Sequence, residues 1–477
     1  MVDASVPLST LPSPPVERTD NTRTDLWDRL IRQLMSAGEQ VTLLTPQRLS
    51  GQLIKASGLI MEVAGCRMQT GQRCLVQGSD GLTVEAEVVG FDRNTLLLMP
   101  IDYHDGLSPG ARVTSMGDNS SIVVGDALLG RVIDGVGRPL DSKAKPTGSA
   151  NIRLHSPPIN PLQRCPVATP LDVGVRSING LLTIGRGQRI GLFAGSGSGK
   201  STLLGMIARN TSADIVVLAM IGERGREVGD FIRQNINDHC LQRSVVVAAP
   251  ADHSPVMRLR AALVAHRIAE YYRDTGHHTL LLMDSLTRYA QARREVALAT
   301  GEPPAARGYP PSVFNRIARL VERAGNGYQS SGSLTAFYTV LTEGEQDTDP
   351  IGESARAILD GHLVLSHALA ISGHYPAIDV VTSISRTMPQ SVSEEHLKMS
   401  LTFRRLLEKA REGSELKLLG VYQPGNDADM DMAMAAEPGI LGYLQQNIKE
   451  RETLEDSVQQ LKALISGLRH GHQQKND

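Results

Sequence analysis

The sequence predicts an α/β fold with a small β-barrel ahead of its main sheet and a helical module behind it. Three observations predict it. The stretch Ala194-Gly195-Ser196-Gly197-Ser198-Gly199-Lys200-Ser201 follows an apolar run at 189–193 and precedes Thr202 and the apolar positions up to 208, so a strand enters a glycine-rich turn and a helix leaves it. Near-continuous apolar runs then alternate with amphipathic helical stretches, the pattern of a mostly parallel sheet covered on both faces. Apolar residues come in short runs between turn signals before residue 116, and with a helical period beyond 390.

A chain of 477 residues is long for one domain, and about two to four are expected. The boundaries read as a tail at 1–24, a helix and barrel at 25–115, the α/β domain at 116–390 and the helical domain at 391–477. A net charge of −2 gives no sign of a nucleic-acid or anionic-membrane surface. Cys66, Cys74, Cys165 and Cys240 are scattered without a C-x-x-C pair, which indicates neither a disulfide framework nor a zinc site and suits a reducing cytoplasm. No run approaches the roughly 20 apolar residues that span a bilayer, and no signal peptide is read at the N-terminus.

Residues 1–24 are rich in Ser, Thr, Pro and Asp and cannot repay their ordering entropy, so they read as a mobile tail. Within 25–35 the apolar positions 26, 27, 30, 31, 34 and 35 form one helical stripe, open to packing on the chain's own barrel or to docking a partner. The runs 59–63, 73–76, 82–89 and 95–99 read as barrel strands. Barrels that hold single-stranded nucleic acid stack its bases on aromatic rings, and this region offers only Phe91 and Tyr103. A structural or ring-forming barrel is therefore expected, with no nucleic-acid partner. The glycine-rich segment 130–141 leads into the α/β domain, whose strands are read at 189–193, 215–223, 245–248, 279–284 and 334–341, with helices after the loop and at 228–236 and 259–272. Helical period returns in 394–411 and runs through 439–468, and 470–477 reads as a disordered tail.

The glycine-rich turn reads as a phosphate-binding loop. Gly195, Gly197 and Gly199 carry no Cβ, so the backbone N–H groups from Gly195 through Ser198 to Thr202 can close on a polyphosphate at the positive end of the helix. Lys200 supplies a point charge for the β- and γ-phosphates and Ser201 a hydroxyl ligand for Mg²⁺. Ala194 stands where the pattern's first glycine is usual, with little steric consequence at a strand end. Asp284 closes an apolar strand at the same sheet edge, where a Walker-B carboxylate helps hold Mg²⁺. Glu223, at the end of the strand read at 215–223, can orient and polarise water for in-line attack on a γ-phosphate. Its nearest rival, Glu227, falls inside the next helix and is expected to face away.

Together the loop, 222–228, Asp284-Ser285-Leu286-Thr287-Arg288-Tyr289 and the proline-rich 301–314 resemble the rotary-type hexameric ATPases. More closely, they resemble the flagellar and type III secretion export ATPases, themselves similar to the F-type ATP synthase β subunit. The likeness runs from about residue 25 to the C-terminus. It implies a RecA-like nucleotide domain binding ATP and Mg²⁺, and a homohexamer with sites between subunits. Arg386, in Ser383-Ile384-Ser385-Arg386, matches an arginine finger inserted by a neighbouring subunit. Tyr375, in Gly373-His374-Tyr375-Pro376, matches the aromatic that stacks on adenine, and Arg224 would orient Glu223 or touch the adjoining subunit. The 301–314 loop is a candidate contact for a central stalk protein or a structural turn. The 25–35 helix resembles the segment that holds a stator-like regulator dimer. Export gate and substrate–chaperone complexes are further implied partners, with peripheral attachment to the inner membrane through them. Residues 309–314 and 289–292 look more like the flagellar branch than the injectisome branch. A catalytic subunit of a proton-linked ATP synthase would need a different partner subunit to complete its ring. A catalytically silent ring subunit is disfavoured because Lys200, Glu223, Asp284 and Arg386 are all present, and an RNA translocase because the barrel is poor in aromatics.

Overall fold

The computed structural model describes residues 26–27, 29–35, 50–79, 81–103, 106–117, 121–328, 332–342 and 349–473. Two units are distinguished, Met1–Leu49 and Ser50–Asp477. In the first, residues 26–27 and 29–35 are helical, while the predicted tail 1–24 lies outside the described residues. Of the tail predicted at 470–477, residues 470–473 instead complete the last helix, which runs to Gln473, and 474–477 lie outside the described residues.

The second unit begins with a closed six-stranded barrel, in the order Ser50–Ser57, Ile60–Ala64, Thr95–Pro100, Thr83–Asp92, Arg73–Gln77, Arg112–Ser115. Alternation puts Val63, Cys74, Val76, Val84, Ala86 and Leu98 inside the barrel, while Met99, next to Leu98, is buried against the core of the α/β domain. Four of these strands are the predicted ones. The first and last were not read, because a register shift between Leu53 and Lys55 breaks the alternation of one and the other offers a single buried valine in four residues. Polar contacts fasten the barrel to the α/β domain. Arg138 spans Asp102 at 2.7 Å and Glu85 at 3.0 Å, and Arg260 reaches Glu87 at 3.2 Å.

The main sheet has eight strands in the order Ile384–Ser385, Gly361–Leu365, Arg189–Ala194, Ser333–Leu341, His278–Asp284, Ile215–Ile221, Ser244–Ala249, Arg131–Ile133. All neighbours are parallel except the first pair. Central strands such as Ile215–Ile221 are buried at every position, which is why they appear in the sequence as unbroken apolar runs. One face carries the helices Pro255–Asp274, Leu286–Ala299 and Pro311–Val321, the other Lys200–Asn210 and the C-terminal helices, each closing its own core. The last of the first set begins at Pro311, so the end of the predicted 301–314 loop is the first turn of a helix.

The C-terminal module is Glu394–Leu418, Ala428–Leu444 and Leu454–Gln473. The helical period read through 439–468 is thus divided between two helices. The polar link between them is held by tertiary hydrogen bonds: Gln446 is buried, and Arg176 pairs with Glu450 at 2.6 Å and Glu452 at 3.1 Å. Among the described residues no helix is long and apolar enough to cross a membrane.

Candidate active site

The strand Arg189–Ala194 delivers the chain to the C-terminal edge of the sheet, and the helix Lys200–Asn210 carries it away. Gly197 and Gly199 have φ of 77° and 84°, the left-handed region that side chains disfavour. The helix opens at Gly199 without a side-chain cap, so its first N–H groups are free to receive an anion. Ser198 is buried, and its hydroxyl donates to the Gly195 carbonyl at 2.9 Å. Its side chain therefore closes the loop, leaving its backbone N–H for the ligand reading. Ser201 is exposed at the start of the helix and Thr202 is half-buried beside it.

Three charged side chains converge above the loop. Lys200 Nζ lies 2.6 Å from Asp284 Oδ1 and 3.5 Å from Glu223 Oε1. Asp284, at the end of its strand, also accepts a hydrogen bond from Thr339 Oγ1 at 2.7 Å. Burial works against the Lys200 ammonium, but the two carboxylates hold its pKa above the ordinary value. Burial also lifts the Glu223 carboxyl above the usual carboxylate range, and the Asp284 charge adds to this. The charges of Lys200 and Arg288 oppose that rise.

Glu223 does not end a strand as the sequence reading had it. The ladder stops at Ile221, and Gly222, at φ 70°, turns the chain so that Glu223 stands two residues beyond it. A Cβ on Gly222 would come within 2.8 Å of the Arg288 side chain, so glycine is needed both for the turn and for the close approach. Arg288 is the residue the sequence reading left without a role. It sits in the first turn of Leu286–Ala299, donates to Gln291 at 2.9 Å and keeps a buried Nε without a protein partner. Its place four residues after the strand-ending Asp284 was the available signal.

Tyr375 and Arg386 separate on opposite sides of the domain. The Tyr375 ring packs on the loop, 3.4 Å from where a Cβ on Gly199 would stand, and is 43% exposed. A hollow of about 410 Å³ lined by Gly195, Ser196, Thr342, Leu365 and Ser366 also adjoins the loop. Arg386 is tied to the other end of the sheet: its N–H donates to the Asp360 carbonyl at 3.0 Å, and Asp360 pairs with Arg189 at 3.0 Å. Arg189 opens the six-residue strand that Ala194 closes, so Arg386 is removed from the loop by a strand length, roughly 20 Å. Its guanidinium donates to the Leu359 carbonyl at 3.1 Å. Arg224 is exposed and pairs with Glu227 at 3.5 Å, so within this chain it does not orient Glu223. A larger, arginine-lined hollow of about 650 Å³, beside Glu270, Arg273 and Arg323, belongs to the N-terminal end of the sheet and lies apart from this constellation.

A phosphate-binding loop, a half-buried lysine and two buried carboxylates at the edge of a parallel sheet define the class of P-loop nucleotide hydrolases. Residues 174–385 match the family model of the ATP synthase alpha/beta family nucleotide-binding domain, and 392–463 match that of the T3SS EscN ATPase C-terminal domain. The chain is 51% identical over 439 residues to the flagellum-specific ATP synthase of Pseudomonas aeruginosa, covering 91% of this chain and 97% of that one. It is 52% identical over 432 residues to the protein of the same name from Salmonella typhimurium, covering 88% and 95%. Among solved structures it resembles the assembled ATPase EscN of the enteropathogenic E. coli type III secretion system, with a TM-score of 0.82 and 42% identity over 87% of this chain and 100% of that one. EscN in complex with its central stalk EscO matches with a TM-score of 0.80 and 41% identity, over 87% and 100%. The chain belongs to the family of flagellum-specific ATP synthases and type III secretion ATPases. It is a nucleotide-binding ATPase with the fold anticipated: barrel, parallel-sheet core and C-terminal helices.

Proposed function

We propose that this chain hydrolyses ATP with Mg²⁺ for the flagellar protein export apparatus, as a homohexamer whose sites lie between subunits. The observation that carries the chemistry is the convergence of Lys200, Asp284 and Glu223 over the loop, at 2.6 and 3.5 Å from one ammonium. The loop N–H groups receive the phosphates, and Lys200 transfers its charge from the two carboxylates to the β- and γ-oxygens. Glu223, freed by that exchange, orients the attacking water and takes its proton. Ser201 and Asp284 offer a hydroxyl and a carboxylate, hard oxygen donors that suit Mg²⁺. Among the described residues no cluster of three or more His, Cys, Asp or Glu is placed to cage a metal, which fits an ion held mainly by phosphates and water. Bound Mg²⁺ would neutralise charge on the triphosphate. Tyr375 carries the adenine.

Arg386 serves the next subunit. Its place at the far end of the strand from Lys200 keeps it out of its own chain's site, which supports action in trans. The EscN–EscO structure supports a central stalk partner, for which the loop ahead of Pro311 is the contact. The 25–35 helix, amphipathic in sequence, docks a stator-like regulator dimer. Export gate and substrate–chaperone complexes complete the set, with a cytoplasmic protein held peripherally at the inner membrane. The flagellar branch is favoured by 51–52% identity to flagellar proteins against 42% to EscN. A chromosomal deletion tests this: loss of filaments and swimming with effector secretion intact, restored by the wild-type gene and not by Lys200→Ala, is expected. The reverse pattern of loss would move the chain to the injectisome branch.

A further inference from the structure

Gln446 occupies an unusual place for an amide side chain. It is 5% exposed, in the link between the last two helices, and its polar atoms are engaged in four directions. Its Oε1 accepts from the Arg176 N–H at 2.8 Å, while its Nε2 donates to the carbonyls of Gly174 at 2.9 Å and Glu450 at 3.1 Å. Its backbone N–H donates to the Tyr375 carbonyl at 3.0 Å. The side chain thus pins the link to the Gly174–Arg176 turn of the nucleotide domain, and the backbone of the same residue holds the tyrosine.

Tyr375 needs such a hold. Tyr375 is 43% exposed, so packing alone does not set its direction, and Gly373, two residues earlier, has a left-handed φ of 75°. Where the ring lies over the loop therefore depends on where its backbone is fixed. The Gly174–Arg176 turn is a firm reference: the Gly174 N–H donates to Asp172 at 2.8 Å, the Val173 N–H to Asn179 at 3.1 Å, and Asn179 in turn to Asp172 at 2.8 Å.

We propose that Gln446 is a positioning residue for nucleotide recognition, setting the Tyr375 ring against the phosphate-binding loop and so making base binding depend on how the C-terminal helices are seated. This rests on the reading that Tyr375 carries adenine. Gln446 touches no substrate. A displaced link moves the tyrosine and leaves the loop, Lys200 and Glu223 where they are, so the loss falls on the base and spares the phosphates.

The test uses the full chain and two ligands, a non-hydrolysable ATP analogue and inorganic tripolyphosphate, each titrated calorimetrically with Mg²⁺. Gln446→Met, which keeps the volume, removes the side-chain hydrogen bonds that pin the link and leaves its backbone bond to Tyr375 unanchored, is expected to weaken the analogue about tenfold, as for loss of buried hydrogen bonds. Tripolyphosphate affinity stays within twofold. In steady state the same variant raises KM for ATP and leaves kcat near wild type. Gln446→Glu, which keeps an acceptor for the Arg176 N–H and loses the donor to Gly174, is expected to fall between. Tyr375→Ala weakens the analogue and spares tripolyphosphate, and combining it with Gln446→Met adds little further loss. Equal weakening of both ligands, or no weakening of the analogue by either Gln446 variant while Tyr375→Ala weakens it, overturns the role of Gln446 alone. An unchanged analogue affinity in Tyr375→Ala removes the base reading, and this proposal with it.

Discussion

Lys200 is held between Asp284 and Glu223, so its ammonium is already aimed at the space above the loop. Exchanging two carboxylates for phosphate oxygens keeps a buried cation paired throughout, and leaving it unpaired would cost about 3–5 kcal/mol. Glu223→Gln is expected to retain nucleotide binding and to lower turnover by at least about 10²-fold, the usual contribution of a positioned base. Near-normal hydrolysis by that variant would remove Glu223 from the chemistry. Because burial and the Asp284 charge raise its pKa, the wild-type kcat/KM profile should lose activity on the acid side at a pH above about 4.3, the ordinary glutamate value. The sign follows from the role: protonation abolishes the base, so activity falls as pH drops through the raised pKa. The loop and Asp284 were legible in the sequence because a strand, a glycine-rich turn and a helix in that order admit few other readings. Arg288 was not, because its place depends on a contact with Gly222 that only the folded turn creates.

Elements show the same division. Central strands announce themselves by continuous apolar runs. Three outer strands of the main sheet, Arg131–Ile133, Gly361–Leu365 and Ile384–Ser385, went unread, being two to five residues long and defined by their neighbours' ladders. The division of the C-terminal helical run at Gln446 reflects tertiary hydrogen bonds that override local periodicity. The helix Pro255–Asp274 carries a buried anchor of this tertiary kind in Glu270, which accepts from Arg323 at 2.6 Å and from Arg267 at 3.0 Å. Burial favours its neutral form, yet the hydrogen bonds and charges of Arg323 and Arg267 prevail and hold its carboxyl down at about 2. A depressed carboxylate stabilises the fold fully above its unfolded value near 4.3 and loses that contribution as pH falls through about 2. Glu270→Gln is therefore expected to cost about 3 kcal/mol at neutral pH and to flatten the loss of stability between those limits. Urea titrations at several pH values measure both, and an unchanged midpoint at pH 7 would count against the anchor.

For the whole molecule, the distance between Lys200 and Arg386 decides how activity scales. In the proposed hexamer each chain holds parts of two different sites, so Arg386→Ala and Lys200→Ala chains are each expected to hydrolyse poorly and to recover measurable activity when co-assembled. An arginine finger contributes about 10³–10⁵ in rate, so even a minority of complete interfaces is visible in a phosphate-release assay. Mixed assemblies that demonstrably form yet stay silent would argue against sharing.

Every strand of the barrel is bonded on both sides, and the main sheet ends in strands of two and three residues. Neither surface offers a stretch of open backbone long enough for an extended polypeptide to zip onto. Among the described residues, the barrel and the main sheet therefore present little adhesive margin of their own. A polypeptide meeting either surface would be held through side chains or helices, and could be let go.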